Sequence, residues 1–324
     1  MVVSAPPSRV VELACLAPSV QNTQPWRWEI AHQSIALYSD EHRRLPVTDP
    51  EGRSLVISCG AALHHAQVAA RALGWAPSVT RLPDGPDGGL LARVVLEPGA
   101  PGADAPRQLE ALERRYTDRR RFTSWPIPRD VVQTLASTAS GAGGGATALT
   151  GLTARIQVEL LVSRAIERQL ADAAVGTEQR TWVDREAEDG IPAEEVHPAE
   201  RRGAQNRLSS DRLSVTDQQR VEVSDGLIVL GGRSDDRAAW LATGEGLSAL
   251  WLRATIDRLS VVPLSAVVEV EETRLALHHG VLGGTLLPHL LVRLGWQPIG
   301  RSHLTRTSRR QLGDVLHVTP PLPQ

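Results

Sequence analysis

No lysine occurs among the 324 residues, so all 35 basic side chains are arginine. Any phosphate or carboxylate that this chain recognises must be met by guanidinium groups or backbone N–H. Cysteine is almost as scarce. Cys15 and Cys59 stand far apart with no C-x-x-C pattern, which excludes a disulfide framework and suits a reducing compartment. Aromatics amount to 3%, and 8 of them are Trp. No apolar run approaches the ~20 residues that cross a bilayer. The N-terminus has no charged segment leading into an apolar core, so no signal peptide is expected and the expected address is the cytoplasm. The formal net charge of -2, with 10 His neutral, gives no general pull toward nucleic acid or membrane. What is present is 41% hydrophobic against 22% charged residues, enough for a substantial core in two domains or one large one.

The stretch Ala17-Pro-Ser-Val-Gln-Asn-Thr-Gln-Pro-Trp26 packs side-chain amides, hydroxyls, two prolines and a Trp into ten positions. It reads as a helix end that becomes a stiff polar loop, since Pro18 and Pro25 fix φ and lack N–H. A helix is predicted over 7–17, then strands over 26–30 and 34–38. A long Ala-rich helix over 54–73 stops at Gly74, and strands follow over 75–82 and 90–96. The Pro/Gly/Ala stretch 98–106 reads as a linker. Beyond it, helices are predicted from 108 and from Pro128, a buried strand over 154–162, and a helix from 165. A strand is predicted over 227–230, a second long helix over 240–259, an extended run over 261–264 and a further helix over 288–294. The polar stretch at about 176–219 reads as a lid-like insertion. Gly60-Ala-Ala-Leu63 superimposes on Gly244-Glu-Gly-Leu247, and Val68-Ala-Ala70 on Leu252-Arg-Ala254, a weak internal repeat. Two similar halves, 1–106 and 107–324, would leave a crevice between them for a ligand.

Several signals carry no chemistry. Gly141-Ala-Gly-Gly-Gly-Ala146 has the spacing of a dinucleotide fingerprint but follows a predicted helix and precedes a predicted strand, the reverse of what that motif needs. His64-His65 and His278-His279 are adjacent pairs that diverge on a helix, so no metal site is expected. Two arginine clusters remain: Arg114 to Arg121, with five Arg against Asp118, and Arg306, Arg309 and Arg310. They are compatible with a solvated face, with two clusters converging on a phosphate, or with nucleic-acid contact. The overall acidic balance and the few neighbouring aromatics count against the last.

Together these features resemble the nitroreductase-like FMN flavoprotein superfamily, in particular its tandem, Acg-like branch. The resemblance rests on Ala17-Pro-Ser-x-x-Asn-x-Gln-Pro-Trp26, on Arg114-Arg-Tyr-Thr-Asp-Arg-Arg120 with Phe122 and Pro126-Ile-Pro128, and on Gly244-Glu-Gly-Leu247 with Trp251-Leu-Arg-Ala254. Arg293-Leu-Gly295 and Ser308-Arg-Arg310 complete it. It implies an α+β fold of two fused nitroreductase-like halves, an intramolecular pseudo-dimer with antiparallel-rich sheets flanked by helices. It implies FMN as cofactor, with Pro18, Ser19, Val20 (through its backbone) and Asn22 at the isoalloxazine. Arg115, Arg119 and Arg120 would hold the ribityl and phosphate, joined by Arg309 or Arg310, while Pro263 and Ser265 would lie along the ring. The implied activity takes hydride from NAD(P)H to FMN and passes electrons to a nitroaromatic or quinone-like acceptor, with no catalytic side chain named. The alternative is an FMN-storing protein whose lid hinders nicotinamide entry. The Ser/Asn loop lies only in the first half and the arginine-rich start only in the second, so one composite FMN site per chain is expected. No nucleic acid or membrane partner is expected, and the chain would be a monomer or a weak homodimer.

Overall fold

The computed structural model describes residues 5–119, 122–183, 188–191, 225–297 and 307–318. The first helix, α1 (Pro7–Ala14), starts with proline in its first turn and buries Val10, Val11, Leu13 and Ala14. It stops three residues short of the expected end, and the chain turns through Ala17 into a single 3-10 turn, Val20–Asn22. A hairpin follows, β1 (Trp26–Ala31) and β2 (Ser34–Ser39), closed at His32, whose φ of 56 supplies the left-handed twist of a two-residue turn. Trp26, Trp28 and Ile30 point into the core while Arg27 and Ala31 face outward, the period-two pattern of a half-buried strand.

Helix α2 (Arg53–Ala72) is apolar around most of its circumference and correspondingly buried. It ends before Gly74, whose φ of 85 turns the chain into β3 (Trp75–Arg81) and β4 (Leu90–Pro98). After α3 (Ala105–Arg114), the second unit runs α4 (Arg129–Gly141), β5 (Gly145–Ala148), α5 (Leu152–Ala171), α6 (Ala173–Thr181) and β6 (Gly226–Gly232). Then come α7 (Arg237–Ile256), β7 (Leu259–Leu264), α8 (Ala266–Glu269) and β8 (Leu287–Trp296), with β9 (Leu316–Val318) near the C-terminus. The Asp236 side chain caps α7 by accepting from Ala239 N at 2.8 Å.

Two assignments differ from the sequence reading. Residues 154–162, expected as a strand, lie in α5, where Val158, Val162, Ala165 and Ile166 are buried at helical spacing and Ile156 and Leu160 face solvent. Residues 288–294, expected as a helix, form the core of β8, in which eight consecutive positions are buried. A strand covered on both faces shows a continuous apolar run, which periodicity cannot tell from a buried helix. Most of the 176–219 insertion falls outside the described residues. The part that is described continues α6 to Thr181 and includes 188–191.

The fold is α+β, with two antiparallel-rich sheets ordered β3-β4-β2-β1-β9 and β5-β6-β8-β7. Read from β1 and from β5, the four-strand orders are the same, and in each unit the long helix joins the second strand to the third. Strand β9, near the C-terminus, is laid parallel to β1 at the edge of the first sheet. Helices α2 and α7 pack against each other at Gly60 and Gly244. A methyl on Gly60 would overlap the Leu241 carbonyl, and one on Gly244 would overlap the Ile57 carbonyl. Glycine is required there because backbone meets backbone. Gly295 leaves room for a side chain instead, since a methyl there would overlap the Phe122 ring.

Candidate functional site

The loop after α1 is held in a demanding conformation. Gln21, Asn22 and Gln24 have φ of 45, 55 and 48, in the left-handed region that non-glycine residues seldom occupy. Side chains fix it: Ser19 Oγ accepts from Gln24 N at 3.0 Å, and Val20 N donates to Ser58 Oγ at 3.1 Å. Ser58 in turn donates to Ser54 O at 2.7 Å, so the loop is pinned to the first turns of α2. Strain over-determined by its surroundings in this way is a mark of functional loops.

Beside the loop is a cavity of about 230 Å³. Pro18, Ser19, Val20 and Gln21 form one wall and Ile57 and Ser58 of α2 the floor. Leu247 and Trp251 of α7, with Val262 to Val267 and Glu269, form the opposite wall. Thr117 and Arg119 reach it from the segment after α3, and Val162, Gln169, Gln179, Val183 and Ile191 close it from α5, α6 and beyond. Both units of the chain therefore build the site.

Of the residues that the resemblance singles out, Pro18, Ser19, Val20, Arg119, Pro263 and Ser265 line this one cavity. Asn22, Arg115, Arg309 and Arg310 do not line it, and Arg120 lies outside the described residues. Asn22 is buried, donating Nδ2 to Gly190 O at 2.9 Å and to Ser308 O at 3.1 Å, and accepting on Oδ1 from Arg309 Nη1 at 3.1 Å. The two arginine clusters do converge, but on a backbone carbonyl: Arg115 Nη2 and Arg309 Nη2 both donate to Leu16 O, at 3.1 and 3.4 Å. Arg115 also stacks over Trp251, 4.8 Å from the ring centre. Arg310 donates its N–H to Gln24 Oε1 at 2.9 Å. These residues form a shell behind the loop.

A strap crosses beside this shell. Gln24 Nε2 donates to Glu188 O at 3.0 Å, and Gly190 N donates to Asn22 O at 3.2 Å. Arg43 pairs with the buried Asp189 carboxylate and lies over the Trp182 ring at 5.3 Å. Val183 and Ile191, bridged to one another, thereby sit at the cavity.

Among the described lining residues Arg119 and Glu269 are the charged types. Burial pushes the Glu269 carboxyl up to about 7, with Asp49 and Glu178 pressing the same way and hydrogen bonds from Ser265 and Gln169 opposing. Gln169 Nε2 donates to Glu269 Oε2 at 2.5 Å. Sequence reasoning missed Glu269 and Gln169; the one available signal was a lone acid inside Ala266-Val-Val-Glu-Val270.

The remaining titratable clusters are packing features. His64 and His65 both bond Ser248 Oγ through Nδ1, at 2.7 and 2.8 Å, and burial lowers the His64 pKa to about 4. Among the described residues, no three His, Cys, Asp or Glu side chains are placed to hold a metal ion. Nor is any described helix long and apolar enough to cross a membrane. Burial raises the Cys15 thiol to about 12 and lifts Cys59 as well, so neither is a reactive thiolate.

No protein-family model matches the chain. It is 34% identical over 311 residues to the "Putative NAD(P)H nitroreductase Rv3131" of Mycobacterium tuberculosis, covering 95% of this chain and 90% of that protein. It is 31% identical over 325 residues to the "Putative NAD(P)H nitroreductase acg" of the same organism, covering 95% and 94%. Among solved structures, a nitroreductase with bound FMN from Bacteroides fragilis aligns at 14% identity with a TM-score of 0.41, over 62% of this chain and 94% of that one. A nitroreductase-titled structure from Anabaena variabilis aligns at 10% identity with a TM-score of 0.46, over 82% and 69%.

Proposed function

The chain belongs to the nitroreductase family, and from that premise we propose that it is an FMN-dependent oxidoreductase with one composite flavin site per chain. The observation that carries the reading is the shared cavity, walled by the 18–21 loop on one side and by Pro263 and Ser265 on the other, with Arg119 at hand. The residues suit the cofactor. Ile57, Leu247, Trp251 and Pro263 offer flat apolar surface for an aromatic ring. The amide oxygen of Gln21 is buried with no hydrogen-bond partner among the described residues, so it can accept from a ring N–H or ribityl hydroxyl. Arg119, with Arg120 beside it in sequence, provides the bidentate donor that a phosphate needs. Bound FMN would supply the redox chemistry, accepting hydride from NAD(P)H and passing electrons to a nitroaromatic or quinone-like acceptor. The chain's own residues bind, orient and shield.

The repeated strand order supports a pseudo-dimer of halves 1–106 and 107–324; we further propose that it works in the cytoplasm as a monomer or weak homodimer. The register that sets Gly60 on Gly244 also sets Gln67 on Trp251 and Arg81 on Ser265. At that opposite position Gln67 Nε2 and Arg81 Nη2 both donate to Glu245 Oε1, and Arg81 Nε donates to Oε2, each at 2.7 Å. Ion-paired side chains thus occupy the counterpart of the flavin wall, which favours a single site.

A second reading, flavin storage with little turnover, has its own support. The 188–191 strap, held by Arg43–Asp189 and by Asn22, acts as the anchored part of a lid over the cavity. Purified protein should be yellow, with one FMN per chain; two equivalents would overturn the single-site reading, and colourless protein that takes up no FMN would overturn the function. Anaerobic NADH or NADPH should bleach the flavin. Bleaching by dithionite alone would select storage.

A further inference from the structure

Glu269 is the feature of the cavity that cofactor binding as outlined above leaves unused. It sits at the C-terminal end of α8, on the wall that begins with Pro263 and Ser265. Its hydrogen-bond partners are neutral: the Gln169 amide, donating to Oε2, and the Ser265 side chain. Among the described residues no arginine or histidine pairs with it. The cations on elements packed around α8 are engaged elsewhere. On α5, Arg155 interacts with Asp225, and Arg164 and Arg168 bind Glu272. On the helix Glu271–Ala276, Arg274 binds Asp235. On β8, Arg293 faces Asp225, and His289 bonds Thr243. The carboxylates whose charge bears on Glu269 are Asp49, which accepts from Ser54 N and Leu55 N, and Glu178, which accepts from Val47 N and Thr48 N. Arg119, elsewhere on the wall, is the cation sharing the cavity, and the acidic Glu271 precedes Glu272 on the next helix. A carboxyl in partial burial, beside two acids and neutral donors, is better accommodated with its proton on.

We infer that Glu269 serves the cavity as a neutral carboxylic acid, donating its proton in a hydrogen bond to a carbonyl oxygen of a bound flavin ring. This rests on the FMN reading. Both partners, the Gln169 amide and the Ser265 hydroxyl, are neutral, and a protonated carboxyl needs only one of its oxygens to carry the proton. A ring carbonyl accepts from the acid and is repelled by the carboxylate, so binding draws a proton onto Glu269. The raised pKa of about 7 places the change in the neutral range.

The test is FMN affinity from pH 6 to pH 8 for the wild type and Glu269→Gln, read by flavin fluorescence. Glutamine keeps a neutral donor at every pH. The FMN phosphate titrates identically in both proteins, so the difference between their slopes isolates Glu269. A group with pKa near 7 makes the wild type lose about tenfold more affinity across this range than the variant does. A second measurement needs no variant: at pH 8, calorimetry in buffers of different ionisation enthalpy should show uptake of close to one proton per FMN bound. Phosphate docking on arginine releases protons and cannot mimic this. Parallel slopes for the two proteins, or no proton uptake by the wild type, would overturn the inference and leave the FMN reading standing. Absence of FMN binding at any pH would overturn both.

Discussion

Asn22 uses both of its amide N–H groups and one of its two acceptor sites on protein partners. Nδ2 serves two carbonyls, Gly190 O and Ser308 O, and Oδ1 serves Arg309, so one amide ties the loop to the strap and to the C-terminal segment. Truncating it leaves two carbonyls and a guanidinium short of a partner in a buried place, at about 1–3 kcal/mol. Asn22→Ala should therefore unfold at lower urea and be cut faster by protease near residues 188–191, even before flavin is added. Unchanged unfolding and cleavage would mean that the amide's bonds are dispensable. The loop's importance was legible in its dense mixture of amides, hydroxyls and prolines. The role of each residue was not, because an amide suited to a flavin is equally suited to a backbone carbonyl. Arg115 and Arg309 illustrate the same limit: the arginine clusters were visible as candidates for convergence, while their meeting point, Leu16 O, depended on a helix end nearly a hundred residues from the first of them. Glu269 was hidden because Gln169, its amide partner, arrives from α5.

At the scale of elements, the α2–α7 crossing decides how the two units meet. Gly→Ala in an exposed helix interior stabilises by about 1 kcal/mol through propensity alone. At Gly176 in α6 an added methyl finds ordinary space, 3.6 Å from Arg180 Nη1, so Gly176→Ala should be neutral or slightly stabilising. At Gly60 or Gly244 the methyl meets the other helix's backbone, which no rotamer change can relieve. Gly244→Ala should lose about 3 kcal/mol, at the upper end of overpacking costs, with a lower thermal midpoint as the readout. A stabilised variant would show that the helices do not approach so closely. The sequence repeat picked out both glycines, since identical spacing in two Ala-rich helices survives composition bias. The same reading mistook α5 for a strand and β8 for a helix. In α5 four exposed apolar residues, Leu152, Ile156, Leu160 and Leu170, blur the helical period. In β8 burial on both faces erases the alternation.

For the whole molecule, the buried titratable groups set a pH profile whose two limbs have opposite signs. His64 and His289 are held down to about 4, and His65 well below its ordinary value, chiefly by burial. Such a histidine is neutral in the fold but charges in the unfolded chain near pH 6.5. Its contribution is present above 6.5 and is lost as pH falls through about 4. Asp235 is held down to about 2 by hydrogen bonds from Trp240, Arg274 and Arg53, against a burial effect that works the other way. It joins α2 to the second unit, and its contribution disappears as pH falls from the ordinary Asp range through about 2. Glu269 works oppositely. Its carboxyl keeps its proton up to about 7 in the fold but loses it in the ordinary Glu range when unfolded, so stability is lost as pH rises between those values. Three histidines outweigh one glutamate, and the thermal midpoint should climb between pH 4 and 6.5. Removing the glutamate's opposition in Glu269→Gln should steepen that climb and raise the midpoint at pH 7.5 while leaving pH 4 nearly unchanged. A variant that shifted the midpoint equally at both pH values would show that Glu269 ionises as freely in the fold as in the unfolded chain.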